Sequence, residues 1–116
     1  MTTDRELLEL AAKAAELDAI FSVYGWCEIT DGAFLDGNEP PTVWNPFADD
    51  GDALRLAVDL GLELYHSISS DRWNVFVGYP KQQRIVYVIE EYGDDQHAAT
   101  RRAIVRAAAE IGKGMK

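Results

Sequence analysis

Three carboxylates crowded into four positions, Asp49, Asp50 and Asp52, follow directly on the aromatic turn Trp44-Asn45-Pro46-Phe47. Clustered carboxylates can hold a hard cation through oxygen ligands. This cluster lacks the alternating ligands and distal Glu of a calcium loop. Helix capping offers it different work, since Asp49 or Asp50 can accept an orphan backbone N–H and Asp52 suits the positive end of a helix dipole. Trp44 and Phe47 read in two ways. They can staple the preceding loop over the helix start, or stand out as anchors for a partner, a role in which Trp is enriched. On the second reading, Trp44, Asn45, Phe47, Asp49, Asp50 and Asp52 form the candidate binding surface.

No catalytic constellation is legible elsewhere. His66 and His97 stand 31 positions apart, outside any metal-binding spacing, and read as packed or surface side chains. Cys27 has no activating neighbour in sequence and reads as a packed thiol. Ser67, Ser69 and Ser70 lie in no nucleophile elbow. Gly25, Gly32 and Gly37 are isolated, and no phosphate-cradling Lys follows them. Arg101, Arg102 and Arg106 would line one side of a helix, with Arg106 four residues from Glu110. Neither a catalytic residue, a metal ligand nor a cofactor is assigned.

These residues need a frame, and the hydrophobic pattern supplies one. Thr3 and Glu6 have capping-box spacing. Leu7, Leu10, Ala11, Ala14 and Leu17 then recur at helical spacing, predicting a helix over 4–17, with Glu9 and Lys13 as a favourable pair on its outer side. Residues 20–24 suit a strand, and residues 26–29 continue it or pair back on it. Residues 30–41 are rich in turn formers. A second helix should begin within Asp49–Asp52 and stop at Gly61. Strands follow at 62–68, 73–79 and 85–89. Leu64, His66 and Ile68 share one face of the first, and Trp73, Val75, Val77 and Tyr79 one face of the second. The third is apolar on both faces, which calls for cover on both. Pro80–Gln83 is short enough for a hairpin. A last helix starts near Asp94 or Asp95 and is closed by Gly112. The expectation is one α+β domain over 1–116: a largely antiparallel sheet of about four strands with helices on both faces.

Composition narrows the function. Hydrophobic residues make up 47% of the 116-residue chain and charged ones 27%, as in an ordinary globular domain. One cysteine excludes an internal disulfide framework. No apolar run reaches membrane-spanning length and the N-terminus does not resemble a secretory signal, so the expected location is the cytoplasm. A net charge of −9 argues against a phosphate-backbone binder. The charge is uneven: residues 1–63 hold 14 of the 20 acidic groups and three of the 11 basic ones.

The run Trp44-Asn45-Pro46-Phe47-Ala48-Asp49-Asp50-Gly51-Asp52-Ala53-Leu54-Arg55-Leu56-Ala57, together with the later segment from His97 to Gly112, resembles the phage ABA sandwich domain family. The resemblance extends over residues 4–112 and is weakest through 18–43. It implies an α/β/α sandwich and a phage or prophage origin, hence a bacterial host cytoplasm. That family carries no assigned activity, so the motif transfers as a signature only. The expected function is a small non-catalytic accessory module that binds a host or phage protein. The alternative is a small-molecule or metal-binding protein, or an enzyme, with a pocket where the 18–47 loop meets the start of the second helix.

Overall fold

The computed structural model describes residues 3–21, 27–30, 42–69, 71–80 and 88–115. Helix α1 (Asp4–Ala14) begins where Thr3 Oγ1 accepts the Glu6 N–H at 3.1 Å. It buries Leu8, Ala11, Ala12 and Ala14. It ends earlier than the apolar spacing predicts, because Glu16 takes a left-handed φ of 58° and turns the chain. Leu17 N–H then bonds back to Ala12 O at 2.9 Å. Glu9 pairs with Arg5 rather than Lys13, whose ammonium donates to the Met115 carbonyl at 2.8 Å.

Next come β1 (Asp18–Phe21), β2 (Cys27–Thr30) and β3 (Thr42–Val43), which form an antiparallel sheet of their own. Of the two sequence options for 26–29, pairing back is the one realised, with Phe21 opposite Cys27. Helix α2 (Asp50–Leu60) is capped by Asp49 and closed by Gly61, whose φ of 69° needs no Cβ to be accommodated. Strands β4 (Glu63–Ser69), β5 (Arg72–Gly78) and β6 (Val88–Glu91) form an antiparallel meander with Leu64 opposite Val77 and Val77 opposite Val88. The predicted positions 85–87, like 22–26 and 31–41, lie outside the described residues. Helix α3 (Gln96–Lys113) runs through Gly112 instead of stopping there.

The chain is therefore α+β, but it does not build one sheet of about four strands. Six described strands divide into two sheets of three. Among the described residues, β1 to β3 pair with one another and not with the later meander. Among the described elements, helices do not cover both faces of either sheet. On the inner face of β4–β6, Val75, Val77 and Val88 pack with Ala103 and Ala107 of α3. An adjoining face of α3, with Ile104, Val105 and Ala108, packs on α1 and α2. On the outer face Tyr65 stacks flat on Phe76 with centroids 5.0 Å apart, yet Tyr65 stays 50% and Ile89 55% exposed. Among the described elements, the second helical layer of a sandwich is absent. Apolar residues on both faces of a strand signalled cover on both, but ring stacking supplies part of it here. Among the described residues no helix is long and apolar enough to cross a membrane.

Candidate functional site

The 44–55 segment is tied down atom by atom. Trp44 is 3% exposed, in one core with Ala53, Leu56, Ala57 and Ile104, and Pro46 is fully buried. The Asn45 side-chain oxygen accepts the Phe47 N–H at 3.1 Å, a local turn that Asn forms readily. The Asn45 N–H donates to Asp52 Oδ2 at 2.9 Å, and Asp49 Oδ2 accepts the Asp52 N–H at 2.8 Å. Asp52, nearly buried, gives its other oxygen to Arg55 at 2.7 Å. Removing a carboxylate from water is costly unless it is paired and hydrogen-bonded, and Asp52 is both.

Arg101 completes the clamp from α3. Its Nε donates to the Phe47 carbonyl at 2.7 Å and its Nη1 to Asp50 at 2.5 Å, while Arg102 lies 5.2 Å from the Phe47 ring centroid. The structure thus gathers all six sequence candidates, with each carboxylate already engaged within the fold. Among the described residues, no group of three His, Cys, Asp or Glu side chains is placed to hold a metal. The arginine row is committed as well. Arg102 faces Asp4 at 3.7 Å, and Arg106 pairs with Glu90 across the sheet rather than with Glu110, which takes Lys113.

A cleft of about 460 Å³ opens between the start of α2, the inner face of β4, Tyr92 just beyond β6 and the first turns of α3. Ala53, Leu54, Leu64 and Ile104 make it apolar, and Asp50, His66, Tyr92, His97 and Arg101 edge it with polar atoms. Its position touches the second helix as expected for a pocket, but the sheet and the last helix, not residues 42–47, provide the remaining described walls. His66 Nδ1 and Tyr92 Oη share a hydrogen bond, and Trp73 stacks beside Tyr92 at 6.2 Å. Both histidines, unremarkable in sequence, meet at this cleft. The alternation that puts His66 on the Leu64 face, and the short turn from β6 to α3, were the available signals. Chemically the pair can relay a proton between a phenol and an imidazole. Among the described residues no carboxylate hydrogen-bonds either imidazole ring, so no triad-like orienting group stands behind them.

Large apolar side chains are exposed at this opening and on the elements beside it: Leu54, which lines it, is 64% exposed, Val58 69%, Ile68 55% and Trp73 51%. Leu54 and Val58 are one turn apart on α2, and Ile68 and Trp73 are cross-strand partners.

Asp95 caps α3 beside the cleft by accepting the His97 and Ala98 N–H groups, each at 3.0 Å. The Ala98 N–H, the largest influence, holds its carboxyl below the usual value of 3.8 against the opposing effect of desolvation, helped by the His97 N–H and by Arg101 and His97 nearby. A carboxyl with a depressed folded value stabilises the fold above its unfolded value and loses that contribution as pH falls through the folded one. Asp95→Asn keeps the cap but removes the titration. The melting temperature of wild type relative to Asp95→Asn should therefore fall as pH drops from about 5 to about 3. Parallel melting curves over that interval would remove Asp95 from the acid response.

Comparison with protein-family models, curated proteins and solved structures gives no match.

Proposed function

We propose that this chain is a non-catalytic protein-binding module whose docking surface is the cleft between α2, the inner sheet face and α3. The observation that carries this reading is the exposure of four apolar side chains: Leu54 in the cleft lining, Val58 one turn further along α2, and Trp73, which stacks on the lining Tyr92, with its cross-strand partner Ile68. Large apolar side chains gathered around a concavity characterise interaction surfaces, and a Trp beside a pocket is a typical anchor. The binding surface thereby moves from Trp44 and the Asp49–Asp52 cluster, whose groups serve the fold, to residues a few positions further on. A phage or prophage origin and residence in a bacterial cytoplasm belong to the same proposal. They rest on the resemblance of residues 44–57 and 97–112 alone.

A second reading has its own support. The cleft volume of about 460 Å³ and the His66–Tyr92 pair suit a small molecule with an apolar body and a polar end.

Selection from a displayed random-peptide library tests the first reading. Recovered peptides should bind wild type and lose about tenfold or more in affinity to a Leu54→Arg variant that keeps its circular dichroism spectrum. Failure to enrich any peptide, or equal binding to that variant, would turn the assignment toward the small-molecule reading.

A further inference from the structure

We infer that the segment docking in this cleft is cationic: a stretch of a partner protein that inserts apolar side chains and carries lysine or arginine beside them. This deepens the docking reading above and rests on it. The apolar half of the recognition has two walls. Leu54 and Val58 stand on one stripe of α2, continuing from Asp50 one turn earlier. Ile68 and Trp73 stand opposite each other on the β4–β5 hairpin, on the face that carries His66. Ala53, Leu64 and Ile104 line the cleft together with Leu54, so an entering side chain would leave water on several sides.

The charged half is acidic beyond Asp50 and Arg101, which line the cleft and pair with each other. Asp94 and Asp95 occupy the turn that joins two lining residues, Tyr92 and Gln96. Asp71 sits in the hairpin turn two residues before Trp73, with a φ of 63°. Among the described residues Asp71, Asp94 and Asp95 make no ion pair. The two arginines nearby are each held by a carboxylate: Arg72 by Glu91 at 3.0 Å, and Arg101, with its side chain 16% exposed, by Asp50. Among the described residues that line the cleft, the imidazoles of His66 and His97 are the other basic groups. The net charge of −9 on the whole chain adds a field of the same sign. An acidic partner would bring like charges together around the same apolar contact, which costs enough to reject it.

Two synthetic peptides with an identical set of Leu and Trp residues decide the matter, one with Lys and the other with Glu at the intervening positions. Their binding to the full chain would be followed by fluorescence anisotropy at one fixed pH. The Lys peptide should bind about tenfold or more tightly than the Glu peptide at about 50 mM salt, and the ratio should shrink at about 300 mM. Leu54→Arg should weaken the Lys peptide about tenfold, and Asp71→Asn with Asp94→Asn should weaken it while reducing its salt dependence. Equal affinities, or a preference for the Glu peptide, would overturn the charge inference and leave the docking surface standing. Undiminished binding of the Lys peptide to Leu54→Arg would place the attraction elsewhere on the acidic surface and overturn the inference. Binding of neither peptide would overturn the inference and the docking reading together.

Discussion

Trp44→Ala is expected to lose about 4 kcal/mol of folding stability, in the range typical of a buried Trp truncated to Ala. The indole is 3% exposed and packs among Ala53, Leu56, Ala57 and Ile104, small or helix-fixed neighbours that cannot move in to fill the space. The backbone on its C-terminal side is pinned as well, through Asn45 N–H and Asp52. Domains of this size are stable by roughly 5–15 kcal/mol, so the variant should keep only part of its margin. Urea unfolding would show the midpoint falling with little change in slope. A loss under about 1 kcal/mol would contradict the core position. The same number warns against using this variant as a binding probe, because lost binding would report lost folding.

Gly112→Ala is expected to cost about 3 kcal/mol, although helix propensity alone favours alanine by about 1 kcal/mol. A Cβ built at Gly112 meets the Leu10 carbonyl oxygen at 2.1 Å and its carbon at 2.8 Å. These are backbone atoms, so α1 as a whole would have to back away from α3. The sign of the measured change separates the two influences. An unchanged or raised urea midpoint would mean that the helices part without cost and that their close approach contributes little.

The sequence marks of local structure were good guides, and those of partnership were poor ones. Thr3, Asp49 and Asp95 all cap where their type and position suggest, and Gly61 ends α2 in the left-handed conformation. Alternation placed Leu64, His66 and Ile68 on one face, and the structure uses that face for both the core and the cleft. Periodicity reports which way a side chain points and is silent on what it meets. Spacing sets Arg106 beside Glu110 on its own helix, whereas its partner is Glu90 on β6. Gly112 was misread for the same reason: a glycine near the end of an apolar stripe usually stops a helix, and only the approach of Leu10 explains one kept inside. The division into two sheets depends on which strands pair, and an alternating pattern is the same whichever neighbour is chosen. His66 and His97 needed one further step, the short turn from β6 into α3, before their meeting at the cleft could be foreseen.

The partnership of α1 with α3 also sets an order of events during synthesis. Lys13 reaches a carbonyl 102 positions further along the chain, and Asp4 and Leu10 likewise meet Arg102 and Gly112. The two helices therefore run in the same direction. A helix of 11 residues is marginal on its own in water. At translation rates of about 5–20 residues per second, roughly 5–20 seconds separate the emergence of the two surfaces. Helix α1 is thus made well before its seat on α3, and its apolar stripe must pass that interval unpartnered by α3.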